Sequence, residues 1–480
     1  MSQIKKDHLW ELIHTISPTE KAYFKKQSNI HSSNGEFVYL KLFDDLNSIL
    51  KFDLRKIELV YESYHQASRL KNYLYELILS ALEGYASNNN KVIQSKRNLV
   101  YAKILFEKGL LYKAKKNIEK CLEQSIDNYD YYTQLEAISF RKKIYTVELN
   151  VAEVEKSINK EEEIFATINE INKYELVMSS ISSFSFSKGN ILNNVEKKRL
   201  LVLEKNKFFK DAEKCKSILA KSLHYRILTL IGTMTDDMNK SLKYAILRFK
   251  ALEHSNYKDV DQQNYINALN NLIYSYIETK HYKEAALTLD VFTSIKPQTA
   301  IIAARIIARK TVNELRLILT SGQPFNYKYC NTIAMDCVNF QNNLIRLDEK
   351  IETVFFMITL CFNNMLHKEV KNWFSIYYLI PKSEVRIDIQ CYLFLLHLYI
   401  QYSKKDLIFV NYLLKNEQTL LLEKKQLNEQ ETRIFDFIQN QISSKAVPSS
   451  FDLKNIKTTL KLLIQNNSNI SIARLIIFPE

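Results

Sequence analysis

Residues 266–298, INALNNLIYSYIETKHYKEAALTLDVFTSIKPQ, decide the fold. Leu269, Leu272, Ile273 and Tyr276 recur at helical spacing, and after a polar break at Lys280 and His281 the pattern restarts with Tyr282, Ala285, Leu289 and Phe292. Pro297 then ends the second run, because proline lacks the N–H a helix interior needs. Two short amphipathic helices joined by a few residues make an antiparallel pair. One such pair cannot bury its apolar faces alone, so it needs neighbours of the same kind.

Those neighbours are present on both sides. Downstream, residues 299–319 read as a helix broken by Ser321-Gly322-Gln323-Pro324, and a second pair follows at 351–381. There Glu369 and Val370 correspond to Glu284 and Ala285, Phe374 to Leu289, and Pro381 closes the unit. Residues 387–414 form one more pair, joined at 403–406. Upstream, residues 98–125 place Gly109 at an inter-helix turn, where a positive φ is easiest for glycine, and Ala114 where the two helices approach. Ile118, Cys121 and Leu122 continue its buried side. Ala114 and Ala285 lie about five periods of ~34 residues apart, but Ala285 and Val370 are separated by about 2.5, so the array is irregular.

Before these pairs, the spacing predicts helices over 4–16, from 18, over 37–46, from Asp53, and over 69–85. Ser17-Pro18-Thr19-Glu20 is a capping-box signature, residues 31–35 a polar break, and Asn88-Asn89-Asn90 a stop. Between the pairs at 98–125 and 266–298, helices are expected at 132–147, 152–168, 194–209, 212–231 and 239–252. The serine-rich segment 179–194 interrupts them, with Phe184 and Phe186 tucked beneath neighbouring helices. Residues 443–450 read as a linker, and the tail carries one amphipathic helix at 453–463. The expected division is an N-terminal helical region 1–90, a repeat array 91–440, and a capping helix and tail 441–480.

Composition agrees with an all-α chain. Six Gly and six Pro in 480 residues leave little material for tight β-turns, and 46% hydrophobic residues supply a core. Six scattered cysteines without a CxxC pair fit free thiols in a reducing cytoplasm. Asp7, His8 and Glu11 stand where a signal peptide is apolar, and the longest apolar runs, 354–362 and 391–400, are shorter than the ~20 residues a membrane helix requires. A cytoplasmic protein with no membrane span is expected.

The helix pair at 266–298 resembles a tetratricopeptide repeat. LIHTISPTEKAYFKK near the N-terminus, KNYLYELILSAL at 71–82, the Gly109–Ala114 unit and the 387–414 pair together resemble a set of largely uncharacterised bacterial tetratricopeptide-like proteins. The resemblance covers most of residues 9–440. It implies an irregular tetratricopeptide-like α-solenoid, a right-handed superhelix of helix pairs, that binds a protein or peptide on its concave face. It implies no catalytic residue.

No GxGxxG, P-loop, HExxH, GxSxG or Cys/His ligand cluster occurs, so no enzyme, cofactor or metal site is expected. The stripe richest in binding chemistry is Asn267, Asn270, Asn271 and Tyr274, at i, i+3, i+4 and i+7 on the first helix of the opening pair. Each asparagine offers a donor and an acceptor, which suits an extended peptide backbone. In tetratricopeptide folds the first helices line the groove, so the resemblance turns this stripe toward a ligand. The net charge of +14 keeps nucleic-acid binding through basic helix faces as the alternative.

Overall fold

Helix caps and apolar spacing recur along the chain, and the computed structural model is all-helical accordingly. It describes residues 7–30, 38–188, 194–205, 209, 211–340, 344–381, 385–404, 406, 408–410 and 412–413. Among these there are α-helices and a short 3-10 turn but no strand. The expected features at 31–35 and in the tail from 441 lie outside the described residues, as do the Phe184 and Phe186 side chains, and of the second helix of 387–414 only 406, 408–410 and 412–413 are described. The chain forms two compact units, 1–168 and 169–480.

The first unit begins with α1 (His8–Thr15), α2 (Pro18–Ile30), α3 (Val38–Ser48), α4 (Leu54–Glu62) and α5 (Ala67–Asn89). Asp7 caps α1 by accepting from Trp10 N, and Glu20 and Ser17 form the expected reciprocal box at α2. Leu9, Ile13, Phe24, Phe43, Ile57, Leu74 and Ile78 meet in one core. A separate core joins α6 (Lys91–Glu107), α7 (Leu111–Asp127), α8 (Tyr131–Val147) and the start of α9 (Val151–Lys188) through Leu99, Ala114, Ile118, Ile138 and Ile164. The expected boundary at residue 90 falls between these two cores, inside one unit. Ala114 is fully buried where α6 and α7 pack.

One expectation fails at α9. The serines from 179 onward do not interrupt the helix, which continues to Lys188. Ile171, Tyr174, Met178 and Ile181 keep the buried face in register, and Ser180 Oγ satisfies itself by donating to Leu176 O at 3.0 Å.

The second unit continues through α10 (Asn194–Glu204), a 3-10 turn (Ala212–Lys214), α11 (Ile218–Met234), α12 (Met238–Glu253) and α13 (Tyr257–Val260). Then come α14 (Gln262–Glu278), α15 (Tyr282–Ser294), α16 (Ala300–Ser321), α17 (Tyr327–Val338), α18 (Leu347–Asn363), α19 (His367–Leu379) and α20 (Ile387–Ser403). Sequential helices pack as neighbours, and α14, α16, α18 and α20 also lie side by side in turn. The apolar run at 354–362 is explained by this placement. It sits in α18, which is covered all round, with Val354 through Phe362 buried.

The pairs share one turn. Between α6 and α7 the chain passes through Gly109 at φ +74°, and Leu110 N donates back to Leu105 O at 2.9 Å. The same bond to the residue five earlier follows a left-handed Tyr129, Leu149, Asp236, Lys280 and Met365. This satisfies the orphan carbonyls at each helix end. The opening pair is further tied at its far end, where Gln262 donates to Lys296 O and accepts from Gln298 N.

Candidate functional site

On α14 the apolar side chains at Leu269, Leu272 and Ile273 go into the core, which leaves Asn267, Asn270, Asn271 and Tyr274 along its flank. All four are half-buried. Asn270 Oδ1 accepts from Asn313 Nδ2 on α16 at 2.9 Å, so this asparagine ties two first helices together. Asn267 Oδ1 accepts from Gln263 at 3.4 Å, close to the limit of a hydrogen bond. Asn271 makes none among the described residues. Tyr274 presents its ring to the Arg316 guanidinium, 4.7 Å from the centroid.

The partner stripe lies on α16. Arg305, Arg309, Asn313 and Arg316 follow at i, i+4, i+8 and i+11, one face of a helix. Glu349 on α18, fully buried, accepts from Arg305 at 2.7 Å and pairs with Arg309 at 3.1 Å. It also caps its own helix through Arg346 N. Arg386, just before α20, pairs with Glu352 on α18. Arg316 lies over Phe356 on α18 as well as over Tyr274, at 5.3 Å from the second ring. Together these side chains form a polar seam across α14, α16 and α18.

The seam carries more positive charge than its acids offset. Arg305, Arg309 and Arg386 share Glu349 and Glu352, whereas Arg226, Arg248 and Arg316 have no carboxylate within ion-pair distance among the described residues. Arg248, on α12, is 1% exposed; it donates to Ser222 at 3.2 Å and to Asn264. Burial pushes the pKa of Arg316 down, opposed by Tyr274 and Glu278 and reinforced by Arg386 and Arg309. Burial also lowers Arg226, where Asp261 opposes and Arg309 reinforces the shift. Desolvation favours loss of a cation's charge, and neighbouring cations act in the same direction.

Elsewhere some buried polar groups are matched, while Asn128 Nδ2, Arg141 Nε and Ser321 Oγ have no hydrogen-bond partner among the described residues. Ser241 joins Thr233 and Ser275 at 2.9 Å each, linking α11, α12 and α14. Tyr174 Oη lies 3.0 Å from His224 Nδ1, and burial holds that imidazole below its usual pKa. No cluster of three or more His, Cys, Asp or Glu that could hold a metal occurs among the described residues. None of their helices is long and apolar enough to cross a membrane.

The sequence stripe therefore lies beside a second one it did not reveal. The spacing of Arg305, Arg309 and Arg316 was the available signal, but arginines on a helix are solvated unless a neighbouring helix covers them. Comparison with known families, curated proteins and solved structures finds no match to this chain.

Proposed function

We propose that the chain is a non-enzymatic scaffold that binds a protein or peptide segment. In this reading the helix pairs form an irregular tetratricopeptide-like array, and the ligand runs along its concave face. The supporting observation is the polar seam on consecutive first helices, where half-buried Asn267 and Asn271 have hydrogen-bonding capacity left over. Such groups can exchange bonds with a peptide backbone at little desolvation cost. Asn270 is instead occupied by Asn313 and belongs to the framework.

Selection of peptides from a random display library on the full chain tests this. Peptides that bind the wild type are expected to lose most of their affinity for the Asn267→Ala/Asn271→Ala variant. Equal binding to both removes the seam from the reading. Nucleic-acid binding through basic faces is the weaker reading, because lysines on those faces are matched by acids, as in Lys103–Glu136, Lys115–Glu148 and Lys142–Glu161. A mobility shift of RNA or DNA at low salt, unaffected by the asparagine changes, would favour it instead.

A further inference from the structure

Arg316 is buried with no carboxylate in ion-pair distance among the described residues, Glu278 acting on it only from farther away. It is 7% exposed, its Nε is fully buried without a hydrogen bond, and its guanidinium bonds to no described residue. Tyr274 and Phe356 hold it by their ring faces, at 4.7 and 5.3 Å. Aromatic faces fix the plane of a guanidinium but leave its edge donors unused. A buried donor of this kind calls for an acceptor, and a buried charge calls for a counter-charge.

We infer that Arg316 is the anchor for a carboxylate of the bound segment, with Arg309 and Arg386 supplying more positive charge around it than Glu278 offsets. The inference rests on the seam being the ligand face. A carboxylate fits better than a phosphate for two reasons. A planar guanidinium held edge-on matches a planar carboxylate through two parallel bonds. Glu349 and Glu352 stand on the neighbouring helix, paired with Arg309 and Arg386, and they repel a dianion more than a monoanion. The chain also shows an arginine–carboxylate bond internally, from Arg305 to Glu349 at 2.7 Å.

The test uses the full chain and defined probes at matched ionic strength: N-acetyl-trialanine with a free C-terminus, the same peptide as its C-terminal amide, N-acetyl-Ala-Asp-Ala-amide, and inorganic phosphate. A ligand that binds only the folded state raises the thermal midpoint, here by roughly 2–4 °C at about tenfold excess over its Kd. The free-acid peptide, the Asp peptide or both are expected to do so, and which one responds tells a terminal from a side-chain carboxylate. The amide is expected to do nothing. Calorimetric titration of Arg316→Met should show affinity lowered about tenfold or more, the usual weight of a charge-assisted bond. Its own midpoint should change by no more than about 2–4 °C, because only the contacts with the Tyr274 and Phe356 rings are lost. Arg386→Gln should weaken binding less, and the loss should shrink with added salt; it serves as the second variant if Arg316→Met does not fold.

A response to phosphate alone, equal responses to acid and amide, or an Arg316→Met that binds as well as the wild type overturns the inference. If display peptides bind without any carboxylate preference, the anchor falls while the scaffold reading stands. If the carboxylate probes bind but display peptides ignore the asparagine changes, the scaffold reading falls instead.

Discussion

Changing Glu349 to Gln removes the carboxylate that neutralises both Arg305 and Arg309 while keeping the volume of the side chain. Glu349 is fully buried, and the two arginine side chains are 15% and 17% exposed. The replacement amide oxygen can still accept from Arg305 and from Arg346 N, so the cap and the packing survive, while the charge is lost and an amide N–H2 donor now faces Arg309. Removing one member of a buried ion pair costs about 3–5 kcal/mol, because the other is left uncompensated. The residual exposure of both arginines lets water relieve part of this, which places the expected loss near 3 kcal/mol. At roughly 2–4 °C per kcal/mol for a large domain, the midpoint of the transition should fall by at least about 6 °C. Urea unfolding at pH 7 and calorimetry measure both quantities.

A second variant separates charge from packing. Replacing Arg305 and Arg309 with Met and Glu349 with Leu removes all three charges together. Such apolar replacements of buried charge networks are often neutral, so this protein should lie within about 1 kcal/mol of the wild type and above the single variant. If Glu349→Gln loses less than about 0.5 kcal/mol, or if the triple variant is as damaged as the single one, the seam is not held by this ion pair.

Three further outcomes follow from geometry elsewhere. His397, stacked 4.1 Å from Phe374 and bonded to Tyr378, has its pKa lowered to about 4 by burial, with the charge of Lys404 adding to the shift. The unfolded chain takes up this proton near pH 6.5 and the folded one only near 4, so stability present above pH 6.5 declines across that window, by about 3 kcal/mol; urea midpoints at pH 7, 5.5 and 4 should fall more steeply for the wild type than for His397→Gln. Gly232→Ala puts a Cβ 2.7 Å from Ser241 N and 3.0 Å from Asp237 O, so α11 and α12 must separate, costing about 2 kcal/mol in chemical unfolding. Leu149→Gly should stabilise the first unit by about 0.5–1 kcal/mol, since Leu149 is 85% exposed and strained at φ +55°; a loss in calorimetry would count against the left-handed strain.

The opening pair was legible because its two apolar stripes and its polar break coincide with α14, α15 and the turn between them. Ala285 and Ala114 are both fully buried, as a small residue at a helix crossing must be. The turns were less legible. Glycine marks the ends at Gly109 and Gly322, while Tyr129, Leu149, Asp236, Lys280 and Met365 adopt the same left-handed geometry without glycine. There the helix-end hydrogen bonds and the packing of the pair outweigh about 1–2 kcal/mol of local strain. At 179–188 the reverse error arose, since serine content suggested a break while the spacing of Ile171, Tyr174, Met178 and Ile181 already called for more helix.

The asparagine stripe was legible as a stripe, but its residues could not be told apart from sequence. What sorts them is whether their hydrogen bonds are met within the fold. Asn270 and Asn313 satisfy each other across α14 and α16, and Glu349 is held between two arginines, so these residues fix the spacing of the first helices. The Thr233, Ser241 and Ser275 hydroxyls do the same for α11, α12 and α14. Asn271 and Arg316 lie within the same seam without such bonds among the described residues. A framework gains nothing from polar groups it leaves unmatched, because each costs desolvation that no contact returns. In the reading proposed above, a bound segment completes them. The satisfied half of the seam therefore makes the unsatisfied half possible, since unmatched guanidinium and amide groups can be held ready for a ligand only between helices whose spacing is fixed by matched ones.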